Sequence, residues 1–317
     1  MLSGIIYVFL ATVLFSSMDV AIKLTGGVFN PLQLNFLRFS IGALMLLPMS
    51  ISKLKKANYK LSKKDYLNFI VLGFIYAVLS MSLYTFSLEY VSASIASVLF
   101  CCNTFFSIIL AAIFLKEKTN IFTKMALVIC FIGILVIINP LNINEPVFGI
   151  AIVIISALIF AVYSVYGKYV TQNKPTGGIV LTCYSFIFGS IELLILILIS
   201  KIPLVSDFLI SKNAVDFANI PIFSGISSDD IIILLYISIF VTGVGFSAYF
   251  LAIEKMSVAM ASLTFAIKPA LGPILASIFL KEELGSYQLI GIIFVIVGSI
   301  GIIISQRNSA KKDSLLA

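Results

Sequence analysis

Histidine and tryptophan are both absent from this 317-residue chain, and charged residues make up only 11% of it. Without histidine there is no His-ligated metal site, no His-ligated haem and no Ser-His-Asp triad. The four cysteines, Cys101, Cys102, Cys130 and Cys183, all fall inside apolar runs and lack metal-type spacing. They read as small buried residues. No GxxxxGK[ST] loop is present, so ATP drive would need a partner. Asp229 and Asp230 stand together but form no DDxxD motif; they precede a helix and suit its positive end. A soluble domain carries about 25% charged residues. What remains here cannot build a water-exposed surface.

What is present is apolar and comes in runs. Hydrophobic residues are 61% of the chain. They gather into ten segments: 3–23, 31–51, 66–87, 91–115, 122–139, 149–168, 176–200, 230–251, 257–280 and 287–304. Each is near the ~20 residues that cross the hydrocarbon of a bilayer. Helix is the form that satisfies the backbone there. The first run lacks a basic n-region and a small-x-small cleavage site, so it is expected to stay as the first helix. The net charge of +7 does not point to nucleic acid, because the lysines sit in short loops between apolar runs. With a cytoplasmic N-terminus, fifteen Lys and Arg fall on the inner side and three, Lys201, Lys212 and Lys281, on the outer. That bias places both termini in the cytoplasm and the chain in the cell membrane. The long loop 201–229 is then outside, with room for a short surface helix of undetermined position.

The chain also repeats itself. Residues 89–117 align without a gap on 254–282, at an offset of 165, with 13 of 29 positions identical. Glu89/Glu254, Ser92/Ser257, Ser97/Ser262 and Phe100/Phe265 match, as do Ile113–Glu117 and Ile278–Glu282. Tyr84/Tyr249 and Gly133/Gly298 extend the register. The expected organisation is a five-helix repeat in 1–142, a second in 147–305 and a cytoplasmic tail in 306–317. Five is odd, so the second unit enters the membrane from the opposite side. The expected fold class is therefore all-α integral membrane, ten transmembrane helices as two inverted five-helix repeats. In secondary transporters of that design the substrate sits near mid-membrane between the repeats.

The five-plus-five layout, the length, and the repeats ending Phe114-Leu115-Lys116-Glu117 and Phe279-Leu280-Lys281-Glu282 resemble the EamA-type carriers of the drug/metabolite transporter superfamily. The stretch Pro269-Ala270-Leu271-Gly272-Pro273 is similar to the proline-bearing ninth helix of that family; the first half has Thr104 and Ile108 instead of the prolines. The resemblance implies export or exchange of amino acids, nucleobases or related metabolites, often in a bacterial inner membrane.

Ionisable residues at depth are the sharpest functional signal, because a charge near the bilayer centre costs at least ~2.5–3.5 kcal/mol. Lys268 is nearly central in its segment. Arg38 and Glu192 lie just outward of centre, and Asp19 about one turn further out. Arg38 and Lys268 are expected to form the cationic part of a substrate site, with Asp19 or Glu192 balancing Arg38; Lys268 has no acid at its own depth. A guanidinium suits a carboxylate-bearing substrate through paired hydrogen bonds. The competing reading is a structural ion pair. Asn103, the repeat mate of Lys268, completes the set. Tyr84 and Tyr249 are gate candidates, set against an ordinary aromatic belt, and Pro269 and Pro273 hinge candidates, set against a static kink. The paired small residues, Ser107/Ala111 and Gly272/Ala276 among them, read as packing faces. The two Lys-Glu pairs read as interfacial helix ends.

These features favour a secondary carrier for small polar metabolites, with no cofactor or metal expected. The alternatives are an intramembrane enzyme acting on lipid or peptide, and a passive channel. Partners would be the substrate, the bilayer, and protons or a counter-solute, in a monomer or homodimer. Glu192 or Asp19 could carry the proton, although an acid paired with Arg38 would do so poorly.

Overall fold

The computed structural model describes residues 2–116, 121–138, 146–172, 174, 177–255 and 263–316, and all regular structure among them is helical. Every apolar segment of the sequence becomes helix, the ninth being described from residue 263. In chain order the helices of the first half are α1 Leu2–Leu24, α2 Pro31–Lys56, α3 Lys63–Gly73, α4 Ser82–Ser87, α5 Ala93–Phe100, α6 Cys102–Phe114 and α7 Ile121–Ile138. Those of the second half are α8 Val147–Thr171, α9 Gly177–Ile199, α10 Pro203–Ser211, α11 Ser228–Leu235, α12 Phe246–Lys255, α13 Leu263–Leu280 and α14 Ser286–Leu316. Seven described helices are long and apolar enough to cross a membrane, and 124–137, 271–280 and 286–301 form three shorter apolar ones. Large apolar side chains such as Phe9, Leu44 and Phe114 face outward, as a lipid-facing surface requires.

Helix ends are written locally. Pro31 opens α2, and the Asn30 side chain accepts from the Leu32 backbone N–H at 3.0 Å. Ser62 and Asp65 form a capping box at the start of α3; Ser227 and Asp230 do the same for α11, 165 residues later. The same offset relates Lys116 and Lys281, which both take positive φ, 55° and 56°, and stop α6 and α13 in the left-handed conformation. A π-helical segment, Phe74–Met81, joins α3 to α4, and another, Tyr236–Gly245, joins α11 to α12. The offset of 165 residues thus also relates two capping boxes and two helix stops, and each π-segment joins the helix after its box to the next.

Packing carries the repeat further. Helices α7 and α14 cross in close contact. A Cβ on Gly133 would meet the Gly291 carbonyl at 2.8 Å, and one on Gly298 would meet the Ala126 carbonyl at 2.8 Å. Adding 165 to 126 and 133 gives 291 and 298, so the two contacts exchange with each other. The indices run in opposite directions along the two helices, so they cross antiparallel. Cys130, paired with Val295 at that offset, lies between them and points its thiol at the Val295 carbonyl, 3.7 Å away. A reciprocal antiparallel contact has a twofold axis perpendicular to both helices. Elsewhere Gly73 meets Gly189 backbone to backbone where α3 crosses α9, and Gly272 of α13 lies tight against Ser97 of α5.

The loop 201–229 holds the short helix whose position the sequence left open: α10, then a 3-10 turn at 215–217. It is tied to the start of α2. The Asn30 amide donates to the Asp216 carbonyl at 2.6 Å, and the Gln33 amide to the carbonyls of Ile222 and Ser224 at 3.3 and 3.2 Å.

Candidate functional site: buried charges around α1

From residue 11 to residue 22 helix α1 is enclosed by its neighbours, so Asp19 can meet several elements at once. It is 1% exposed and lies 3.1 Å from the Nζ of Lys268, itself 2% exposed. The Tyr84 hydroxyl donates to the other Asp19 oxygen at 2.7 Å, and the Lys268 ammonium reaches the same hydroxyl at 3.5 Å. The ammonium also lies over the rings of Tyr84 and Phe100, 5.4 and 5.3 Å from their centroids. Residues from α1, α4, α5 and α13 therefore converge on one buried pair. Tyr84 stands one turn beyond the π-segment 74–81, whose wider winding shifts the helix face that follows it. There Ser82 donates to the Ala77 carbonyl, five residues back, at 3.1 Å.

Arg38 lies close by, 1% exposed in the interior of α2. Its Nη1 donates to the Met18 sulfur at 3.1 Å, and its guanidinium carbon stands 4.5 Å from the Phe39 ring centroid. Neither Nε nor Nη2 has a hydrogen-bond partner among the described residues. Those two N–H groups share one edge of the planar fork and point in parallel, the edge that takes both oxygens of a carboxylate. Asp19 is the charged group that acts on it, across a distance.

The depth argument pairs Arg38 with Asp19 or Glu192 and leaves Lys268 without an acid. The structure reverses this. Asp19 contacts Lys268 directly and acts on Arg38 only across a distance. Depth fixes the level of a residue but not the face of the helix it occupies. Glu192 is on α9, half-buried, with one oxygen enclosed and without a hydrogen-bond partner among the described residues. It is not brought to the others. The result is two buried cations, Arg38 and Lys268, sharing one buried carboxylate.

Asn103 is buried, but its amide donates to the Phe100 carbonyl at 2.7 Å and its oxygen accepts from Thr104 at 3.3 Å. It meets the site through Phe100, at the point where Cys101 separates α5 from α6. Helix α13 runs unbroken through Pro269 and Pro273, so among the described residues the interruption falls in the corresponding α5–α6 segment, which lacks these prolines. Tyr84 is fully buried and belongs to the charge cluster, not to an interfacial belt. Tyr249 is partly buried and packs by its ring 6.3 Å from Phe15.

One contact was invisible in the sequence. Glu282, in the repeated Phe-Leu-Lys-Glu ending, reaches across to the start of α5. It accepts from the backbone N–H groups of Ala93 and Ser94 at 2.9 and 3.0 Å and from the Ser94 hydroxyl at 2.5 Å. The repeat mate Glu117, and residues 258 and 259 that correspond to Ala93 and Ser94, lie outside the described residues. At the other end of the bundle Lys174 pairs with Asp65, which also accepts from Tyr59 and Ser62.

The chain is similar to known proteins over nearly its whole length. A Clostridium kluyveri protein described as an uncharacterized transporter is 34% identical over 308 residues, covering 95% of this chain and 93% of the relative. The transporter YyaM of Bacillus subtilis, also described as uncharacterized, is 24% identical over 93% and 92% of the two chains. The pseudopaline exporter CntI of Pseudomonas aeruginosa is 25% identical over 66% and 68%. A crystal structure at 16% identity superposes with a TM-score of 0.67 across 96% of this chain and 98% of the other, which speaks to fold. The family model of EamA-like transporters matches residues 2–139 and again residues 147–304. The chain belongs to the EamA-like transporter family of the drug/metabolite transporter superfamily, and is a membrane transporter with multiple apolar helices.

Proposed function

We propose that this protein is a secondary carrier that exports or exchanges small carboxylate-bearing metabolites, with Arg38 as the principal anchor. The observation that carries this is the charge imbalance around α1. Two cations and one carboxylate are buried together, and the guanidinium holds its two-pronged edge unpaired. Burial of a charge costs several kcal/mol unless it is compensated. A substrate carboxylate supplies the compensation and accepts two charge-assisted hydrogen bonds. Lys268, bridged to Asp19 and Tyr84, completes the cationic wall, and Asn103 steadies it from behind through Phe100. Glu192 is separate from this wall and is the better placed of the two acids to exchange a proton, since Asp19 is engaged.

The mechanism proposed is alternating access between two inverted five-helix repeats that together cross the membrane ten times, with both termini cytoplasmic. The reciprocal antiparallel contact of α7 with α14 supports inversion. In this orientation Glu282 closes the outer side by binding the positive end of α5, where a carboxylate is favoured, and Lys174–Asp65 fastens the inner side. Tyr84 and Tyr249 gate the two ends, and α13 bends near Pro269 and Pro273 as the substrate passes. The name of the Pseudomonas relative favours export as the direction.

The test is counterflow in proteoliposomes holding the full chain. Labelled carboxylates that accumulate only against an unlabelled internal pool, unaltered chemically, support the carrier. Chemical conversion, or flux that never saturates, refutes it.

A further inference from the structure

The excursion between α9 and α11 leaves large apolar side chains uncovered. Helix α10 is 9 residues long and opens on Pro203, with Ile202 as its cap. Ser206 is buried against the protein, and Val205 and Leu209 are half-covered. Leu204 and Phe208, one turn apart and so on one face, are 82% and 59% exposed. In water that stripe would be a standing cost.

The stripe continues the lipid-facing side of α9. Ile191, Ile195 and Leu198 recur at helical spacing there and are exposed. Ile202, four residues beyond Leu198, is exposed too, and Leu204 follows it. The chain is then kept at that level. Ser200, at the end of α9, binds the returning backbone: its carbonyl accepts from the Asn219 N–H at 3.0 Å and its hydroxyl from the Ile220 N–H at 3.1 Å. Helix α10, about 14 Å long at 1.5 Å per residue, is confined to this closed loop. Aromatic rings mark the same level. Phe217 lies 5.5 Å from Phe86 in the last turn of α4, and Tyr90 lies 5.2 Å from Phe148 in the first turn of α8. Rings gathered where several spanning helices end are typical of the membrane–water boundary.

Charge does not draw the helix there. Across 201–216 Lys201 and Lys212 are balanced by Asp207 and Asp216, so the attraction is apolar.

We infer that α10 is an interfacial helix whose partner is the lipid itself, with Leu204 and Phe208 bedded just beneath the headgroups, and that it moors the strap 215–224 across the start of α2. That strap takes the Asn30 and Gln33 amides on its carbonyls and sets the Phe223 ring 6.5 Å from Phe36. The mooring is the same whichever solute is carried.

The chain has no tryptophan, so an introduced indole is the only one present. Phe208→Trp and, separately, Leu204→Trp are made in the full chain and reconstituted in phosphatidylcholine vesicles. Each indole should emit to the blue of its value in water and lose about half its intensity or more when the lipid carries bromines just below the headgroup. The loss should be the same with and without anionic lipid. Emission as in water overturns the inference. So does a blue-shifted indole that bromines do not quench, since a second copy of the chain would then cover the stripe, and so does quenching confined to anionic vesicles. Hydrogen exchange reads the mooring: Leu204→Ser combined with Phe208→Ser should speed exchange at the Asn219 and Ile220 amides by about tenfold or more, with the spanning helices unchanged. Unaltered exchange at those two amides overturns the mooring.

Discussion

Replacing Arg38 by lysine keeps the charge and destroys the fork, and so isolates what the geometry contributes. In the structure Nη1 is held by Met18 while Nε and Nη2 point together with no described partner. A carboxylate seated there gains two parallel charge-assisted bonds, each worth about 1.5–3 kcal/mol. An ammonium offers a point charge and one well-directed bond in their place. Losing one bond weakens substrate binding by roughly 10- to 150-fold, at ~1.4 kcal/mol per decade. Arg38→Ala should abolish saturable transport. The thermal midpoint separates this from a structural role. A side chain clamped in an ion pair leaves an orphaned charge behind when removed, at about 3–5 kcal/mol. Arg38 has no carboxylate in direct contact, so exchanging it for methionine, which fills similar space, relieves a desolvation cost, and the stability of Arg38→Met should hold or rise. The chain has no tryptophan, so unfolding is followed with a thiol-reactive dye that reports the buried cysteines. Counterflow gives KM and kcat for Arg38→Lys in the same preparation. An unchanged KM, or a midpoint that falls as far as that of an ion-pair variant, would refute the reasoning.

The neighbouring charges should respond differently. Lys268→Met strands Asp19 in the core and should destabilise the protein by about 3–5 kcal/mol; adding Asp19→Asn should restore most of the stability without restoring transport, read by thermal midpoint and counterflow together. Glu282→Gln keeps the side chain's shape but gives up a charge-assisted acceptor at the start of α5, at about 1.5–3 kcal/mol. It should raise labelling of Cys101 by an impermeant thiol reagent applied from outside about tenfold or more, in a background lacking the other three cysteines; labelling equal to wild type would remove the latch. Single cysteines at Asn58 and Glu283 should label from opposite sides of a sealed vesicle, and labelling from one side would end the inverted arrangement.

Run length gave the helices because the bilayer demands stretches of apolar residues long enough to span it, and those stretches are plain in this sequence. Of the caps, only the placing of Asp229 and Asp230 at a helix start was read from the sequence; the boxes Ser62-Asp65 and Ser227-Asp230 are local, joining neighbours three residues apart. What depends on azimuth was not legible. Helix α1 is apolar nearly all round, so nothing in its pattern says which way Asp19 points, and depth alone paired it with Arg38 when it contacts Lys268. The π-segments were hidden as well, since one additional residue per turn leaves no mark on composition. Prolines suggested a break in α13, yet the described interruption falls at Cys101, where the Asn103 amide takes the Phe100 carbonyl. The repeat was visible as thirteen identities, but its consequence for Glu282 required tertiary contact.

The charges themselves argue for function over architecture. A structural pair needs one cation for one anion, and Lys268 with Asp19 meets that need, Tyr84 taking the remaining oxygen. Arg38 adds a second cation that this pair does not require. A methionine or leucine in its place would pack in the same apolar surroundings at no desolvation cost. A neutral core would therefore be the more stable one. Met18 offers only a sulfur, and the Phe39 face only a weak attraction. A guanidinium kept under these conditions, with its carboxylate-binding edge unengaged, is what the proposed carboxylate site requires.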